Sequence, residues 1–508
     1  MALAEYYDRA ALAAAQVIAG FDEDVFRGIL ESTTVGLAVD EGVGQEPEGV
    51  ALADLSIRLL ARLYPRLQID GPKELKKQLT TLAQSINPKI DLVDDEAHLG
   101  ISLGQDATQY NTTVFAGSQG WTGLVGNVGP FPISKTHNPF GAGVAACLAA
   151  ANIFRFVFQG EDYQLLDRNV GLSAWSGEHV DGDDGPSLKE CTFSEDVVLV
   201  GLGAIGNGAL WALGRAGLSG TIHLVDYQHL ELSNMQRYVL TTRSDEGLSK
   251  LDIAAHALDG TGWRVQPHQL RWQAFVAACG TSWPTVLVAL DSAKDRRAVQ
   301  ASLPGWIANA WTQPGDLGVS RHGRFGGDGA CLSCLYLPQQ QVPNEDTLVA
   351  QALGVPERQQ QVRDLLHHGS LVPEDLLTAI GRGLNIPLER LKPFSGVNIR
   401  TLYVEGLCGG ALLGLGRVGS PRQEVHVPLA HQSSLAGVLL GAAFIRHMVK
   451  PENHATTVTR VNIVRPIGVH LTQPLARTTD GRCICNDMDY VAVFNKKWTT
   501  NALHHRSP

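Results

Sequence analysis

At 508 residues the chain is too long for one core, and at roughly 100–200 residues per domain it should hold two to four. With 44% apolar and 18% charged residues it reads as globular, and a net charge of −10 argues against a generic nucleic-acid binder, which needs a basic face. Eight cysteines are too few for a disulfide scaffold, so clustered cysteines are read as metal ligands or nucleophiles in a reducing, cytoplasmic setting.

Residues 1–16 carry Glu5, Asp8 and Arg9 and lack the basic start and apolar core of a signal peptide. Helical spacing predicts helices over 2–19, 52–63 and 140–156, with a short strand at 67–69 and a loop at 126–132. The apolar runs 140–151 and 435–445 fall short of the roughly 18 residues a membrane span needs, so no membrane partner is expected. Residues 1–160 carry no glycine-rich fingerprint and no ligand cluster, and read as an α/β unit without chemistry. Residues 176–189 are turn-rich and charged, a loop or linker. The second unit, 161–508, opens on a continuous apolar strand at 196–200. Strands at 221–225, 285–289 and 305–310 follow, with a helix around Ala254, and this alternation predicts a largely parallel, doubly wound sheet. Residues 340–395 are polar and helical, over 344–353, 357–367 and 373–381, and read as part of an insertion spanning 340–425. An apolar helix at 435–447 precedes a strand-like tail. No internal repeat is visible by eye.

The second unit carries the chemistry. Gly201-x-Gly203-x-x-Gly206 sits between a strand and a helix: a tight turn, a close approach for phosphate, and a helix packed on its strand. Asp226 follows 20 residues after Gly206, where a carboxylate can bond ribose hydroxyls. Alone, this fits a nicotinamide dehydrogenase equally well. Beyond it lie Ser233, Asn234, Arg237, Lys250, Asp291 and Arg296. Cations there could neutralise charge as pyrophosphate leaves, and a strand-end carboxylate could hold Mg²⁺. Singly, each could be a solvated charge or a helix cap.

In this order the residues resemble the ThiF/MoeB/ubiquitin-activating superfamily over about residues 195–335. The layout as a whole is most similar to the activating enzymes of bacterial ubiquitin-like conjugation operons, which act in antiphage defence. The resemblance implies a Rossmann-like adenylation domain in 161–508 fused to a nucleotide-free pseudo-adenylation domain in 1–160. It implies that Asp226 binds the ribose of ATP, that Asn234, Arg237 and Lys250 bind its phosphates, and that Asp291 holds Mg²⁺. Tyr238 departs from the glutamine often found after the arginine. Tyr7-Asp-Arg9 resembles the start of adenylating subunits, which implies an arginine finger at Arg9; a charge on an exposed helix face is the alternative.

Cys331-x-x-Cys334 and Cys483-x-Cys485 form two thiolate clips that suit a structural tetrahedral Zn²⁺, a feature common in the family. A redox pair or two unrelated buried pairs would give the same spacing. Cys408 lies between the clips in a glycine-rich turn, where the family places its thioester-forming cysteine; a buried packing residue is the alternative. Cys147 and Cys279 lie in apolar helical runs and read as core, Cys191 has no evident role, and His504 and His505 read as frayed. The implied activity is ATP-dependent activation of a ubiquitin-like protein, with transfer to a conjugating enzyme. Adenylation without a thioester step is the second reading. The resemblance allows a homo-oligomer.

Overall fold

Short apolar runs alternating with amphipathic helices build two sheets. The computed structural model describes residues 3–160, 163–190, 196–314, 316–337, 345–403, 427–449, 456–468 and 471–504. The first sheet contains β1 (Thr34–Val39), β2 (Arg66–Asp70), β3 (Asp91–Leu92), β4 (Leu99–Leu103), β5 (Thr112–Gln119), β6 (Thr122–Gly126) and β7 (Asn169–Ser173), in the order β3-β2-β1-β4-β5-β6-β7. Its helices are α1 (Tyr7–Ala14), α2 (Glu23–Ser32), α3 (Pro47–Leu60), α4 (Lys73–Ile86) and α5 (Pro139–Gln159). The second sheet contains β8 (Val197–Val200), β9 (Ser219–Val225), β10 (Gly262–His268), β11 (Thr285–Val288), β12 (Trp306–Thr312), β13 (Leu317–His322), β14 (Thr457–Val461) and β15 (Leu471–Pro474), in the order β10-β9-β8-β11-β12-β13-β14-β15. Helices α6 (Ala204–Arg215), α7 (Lys250–His256), α8 (Trp272–Cys279), α9 (Ala293–Ala301) and α10 (Leu332–Leu335) accompany it.

The seven strands of the first order match the first seven of the second, β10 to β14, and β15 is an addition at the edge. In each half five parallel strands are followed by an antiparallel hairpin, β5–β6 or β12–β13. A long apolar helix follows, α5 in the first half and, after α10 and a helical insertion, α16 (Ala430–Val449) in the second, and then an antiparallel strand, β7 or β14. The duplication is one of topology. It is invisible by eye because only burial, not residue identity, is repeated: β1 and β8 are buried along their whole length, as parallel strands covered on both faces must be.

Helices α3, α5, α6 and α16 form the layer between the sheets. Their close approach depends on glycine. A Cβ on Gly437 of α16 would lie 2.7 Å from Gly208 Cα and 2.3 Å from Ile205 O on α6. Helix α5 runs 21 residues with a mean hydropathy of 1.6, enough by length and composition to cross a membrane; 94% of that stretch is buried inside the fold. It starts at Pro139, after Asn138, whose side chain accepts from Phe140 N.

Several expectations change. Helix α1 is shorter than 2–19. Strands β1 and β4–β7 were not foreseen, because glycines and threonines blur their alternation. β7 belongs to the first sheet, which therefore runs past the boundary expected at 160. The tail forms β14 and β15 but then turns helical in α17 (Met488–His504). The insertion is helical as read, with α11 (Glu345–Ala352), α12 (Gln359–His368), α13 (Glu374–Leu384), α14 (Leu388–Leu391) and α15 (Ile399–Thr401) around a core of their own that includes Val349, Val362, Leu376 and Ile380.

Candidate functional site

The C-terminal ends of β8, β9, β11 and β12 open on a cleft of about 400 Å³. Gly201 leaves β8 at φ +92°, a conformation that favours glycine, and an added Cβ would lie 2.6 Å from Ala289 O. At Gly206 a Cβ would lie 2.3 Å from Gly201 O, so α6 begins hard against the turn. Gly203 is different. A Cβ there would come no closer than 3.4 Å to any other group, the Tyr238 hydroxyl, which leaves room for a ligand. No side chain caps α6, so its first N–H groups remain for an anion.

Asp226 ends β9 and is buried. Its carboxylate accepts from Leu202 N at 2.7 Å, Tyr227 N at 2.7 Å and Gln228 N at 2.9 Å, tying the glycine turn to the neighbouring strand while lining the cleft. Arg237 also lines it and donates to Ser233 O at 3.3 Å. Burial pushes the Arg237 guanidinium below its ordinary pKa, opposed by Tyr238, Asp291 and Glu231, which places Asp291 in its field. Asp291 stands just beyond β11 on the cleft wall. These residues share one cavity, and Asp291 offers a carboxylate that fits a divalent cation.

Lys250 is placed differently from its expected role. It is buried behind Tyr238, donating to Gln228 Oε1 at 2.8 Å and to the Tyr238 hydroxyl at 3.1 Å. Asn234 uses its Oδ1 to accept from Glu231 N at 3.2 Å, half of a local capping box, and does not line the cleft. Arg296 donates to the Tyr336 hydroxyl at 2.7 Å and to the carbonyls of Leu290 and Ala310, pinning strand ends together. Arg9 lies in α1, three residues after Tyr6, which packs with Ala204, Leu230, Met235 and Tyr238 beside the glycine turn. The segment just before α1 therefore packs beside the glycine turn of its own chain, while no residue of α1 lines the cleft.

Sequence reasoning missed Tyr238, Arg271 and Trp311 as cleft residues. Arg271 lies 4.0 Å over the Tyr227 ring at the cleft. No spacing rule finds these residues, since Tyr238 and Arg271 come from loops and Trp311 from the end of β12, segments that only the sheet order brings together. The departure from glutamine at Tyr238 was the one signal available.

The two thiolate clips meet. Sγ–Sγ distances are 3.9 Å for Cys331–Cys334, 3.4 Å for Cys331–Cys483 and Cys334–Cys483, and 3.5 Å for Cys334–Cys485. All four sulfurs lie within 4.8 Å of one another. Ligands about 2.3 Å from one Zn²⁺ would stand roughly 3.8 Å apart, so the set fits a tetrahedral site. Helix α17 is fastened beside it by Lys497, whose Nζ donates to Ser302 O at 2.8 Å and Leu303 O at 2.9 Å; burial lowers its pKa to about 8.

Cys408 and Cys191 lie outside the described residues. Cys147 is fully buried in α5, and burial raises its thiol pKa. Cys279, expected in the core, is exposed at the end of α8, with its Sγ 4.0 Å from His268 Nδ1.

The first sheet carries a buried polar cluster at the matching place. Glu48, the second residue of α3, lies there 1% exposed. It accepts from Ser118 Oγ at 2.6 Å, from Gly120 N at 3.3 Å and from Thr136 Oγ1. Ser118 and Gly120 close β5, and Thr136 precedes α5. By topology these match Trp311–Gln313 at the end of β12 and Pro428 before α16, which line the cleft of the second half.

A model of the ThiF family matches residues 166–355, and a model of prokaryotic E2 family C matches residues 38–159. An uncharacterized protein, y4jF, from Sinorhizobium fredii is 42% identical over 509 residues, covering 98% of each chain. The Nedd8-activating enzyme E1 catalytic subunit of Drosophila melanogaster is 33% identical over 109 residues, 21% of this chain and 24% of that one. The adenylyltransferase and sulfurtransferase MOCS3 of Danio rerio is 31% identical over 153 residues, 28% of this chain and 31% of that one. The chain thus spans a quarter to a third of the two named enzymes. Residues 38–159 contain one cysteine, the buried Cys147.

Proposed function

The chain belongs to the ThiF/ubiquitin-activating superfamily, and from that premise we propose that it uses ATP to adenylate the C-terminal carboxylate of a ubiquitin-like protein. The observation that carries this reading is the convergence of Gly203, Asp226, Arg237 and Asp291 on one cleft at the strand ends. The glycine turn and the start of α6 receive the phosphates, and Asp226 receives the ribose. Asp291 would hold Mg²⁺, which supplies charge neutralisation at the phosphates. A carboxylate oxygen of the partner attacks the α-phosphorus, the bond to the bridging oxygen breaks, and pyrophosphate leaves. Arg237 stands where that charge grows. Lys250 acts through Tyr238 or reaches the phosphates after a side-chain rotation.

We read Cys408 as the acceptor of the second step. Its sulfur attacks the acyl-adenylate carbonyl, AMP leaves, the thiol proton goes to solvent, and the thioester passes to a conjugating enzyme. The first half is then the nucleotide-free partner of the second. Its matching strand order supports this. The buried Cys147 speaks against reading it as a conjugating enzyme in its own right, because transthiolation needs an accessible thiolate. The packing of Tyr6, just before α1, against Tyr238 supports a role for Arg9 within the same chain. The four-cysteine cluster would hold structural zinc.

The test is partner-dependent exchange of labelled pyrophosphate into ATP. Asp291→Asn should abolish exchange without changing the melting temperature; unchanged exchange would remove Asp291 and this reading of the cleft. The match to MOCS3 favours a second reading, in which chemistry ends at the adenylate. A thiol-sensitive adduct that is lost in Cys408→Ala while exchange persists decides for the thioester. Exchange with no adduct decides against it.

A further inference from the structure

Two arginines of the first half hold the loop that carries Arg237 and Tyr238. Arg62, just past α3, is 2% exposed. Its Nη2 donates to Tyr238 O at 2.6 Å and to Thr241 O at 2.5 Å, and its Nη1 to Arg58 O at 2.6 Å. Arg58, on α3, donates from Nη1 to Val239 O at 2.8 Å. Three carbonyls within four residues of the loop are thus bound by guanidinium groups lying about 180 residues earlier in the chain.

The arginines are themselves fixed. Asp54 Oδ2 accepts from Arg58 Nε at 2.9 Å, and also from Trp211 Nε1 at 2.7 Å and Arg215 Nη2 at 2.9 Å on α6. From the other side, Asn207 of α6 donates to Leu202 O and Gly203 O, both at 3.0 Å, and accepts from Leu240 N at 3.2 Å. The glycine turn, the arginine loop and the first half are therefore joined by one buried polar network. Of the ten bonds named here seven end on backbone atoms, four of them in the 238–241 loop that sets where Arg237 and Tyr238 stand, while Arg62 Nε is buried without a partner among the described residues.

We propose that Arg62, assisted by Arg58, is a positioning residue for nucleotide activation: the first half serves the active site by clamping the 238–241 loop so that Arg237 meets the charge developing on the phosphates. The inference rests on the adenylation reading. It gives the fused first half a task that needs no nucleotide of its own. Lysine cannot replace arginine here without loss, because a single ammonium that meets the Tyr238 and Thr241 carbonyls, as Nη2 does, lacks the second arm of the fork, Nη1, which holds the Arg58 carbonyl.

The test compares full-length wild type, Arg62→Met, Arg62→Lys and Arg58→Gln in two assays: equilibrium binding of a fluorescent ATP analogue with Mg²⁺, and pyrophosphate exchange with the ubiquitin-like partner. A loosened loop should spare ground-state binding and harm the transition state. Arg62→Met should lower kcat by about tenfold or more while KM for ATP moves less than about threefold. Arg62→Lys should recover part of kcat, and Arg58→Gln should cost a few-fold. Arg58→Gln keeps the buried fork, so it reports on the clamp even if Arg62→Met does not fold. Unchanged kcat in Arg58→Gln and Arg62→Lys, with only a lower melting temperature, would overturn the proposal. Wild type that binds no nucleotide would overturn the adenylation reading instead.

Discussion

The carboxyl of Glu48 makes the first half sensitive to pH. Burial raises its pKa from the ordinary 4.5 to about 7, although Ser118, Thr136 and the Gly120 N–H all lower it. The folded state therefore keeps a proton that the unfolded chain releases. Below about pH 4.5 both states are protonated and the group costs nothing. As pH rises towards 7 the unfolded state loses its proton first, so stability falls, and above 7 the full cost remains. A shift of about 2.5 units corresponds to about 3 kcal/mol, of which about 2.5 kcal/mol develops between pH 5 and pH 8. Glu48→Gln keeps the shape and removes the titration. Denaturant unfolding of both proteins at the two pH values isolates the term, because all other groups cancel in the comparison. The variant should gain on wild type by about 2.5 kcal/mol from pH 5 to pH 8. A gap between the two proteins that does not change with pH would refute the reasoning, and would mean that the three donors hold Glu48 ionised.

Other expectations follow from packing and ligation. Elemental analysis should find about one zinc per chain, and Cys334→Ser should lose it along with the anchoring of α17; full zinc in that variant would disprove a four-sulfur site. Gly437→Val drives a side chain into Gly208 and Ile205 O, so it should cost about 3 kcal/mol or more and lower the melting temperature by several degrees. Arg155 and Asp167 form an ion pair at 2.8 Å with both side chains 1% exposed, and Arg155 also donates to Ile463 O at 2.8 Å. Arg155→Met strands the Asp167 charge and should cost about 3–5 kcal/mol by denaturant titration; a cost under about 1 kcal/mol would show that its remaining donors, Asn152 Nδ2 and Ile467 N, suffice to hold it.

The second half was legible because its chemistry is local. Gly201 and Gly206 are forced by turn geometry and close packing, Gly203 leaves room between them, and Asp226 falls just past the next strand; all are read from spacing along one chain segment. Long amphipathic or apolar helices such as α13, α5 and α16 were found for the same reason, since their periodicity is contained in a window of residues. The cysteine clips could be paired on paper, but their meeting 150 residues apart is a fact of the fold.

What the sequence determined, then, was the set of groups with intrinsic demands: glycines that tolerate no Cβ, a strand-end acid, thiols in close pairs, helices with one apolar face. What only the tertiary structure decided was everything that depends on contacts between distant segments. The matching strand order of the halves, the enclosure of Glu48, the withdrawal of Lys250 behind Tyr238 and the grip of Arg62 on the 238–241 loop all arise there. A guanidinium bound to a carbonyl leaves no mark in the sequence, because every residue has a carbonyl and only packing selects which one is reached.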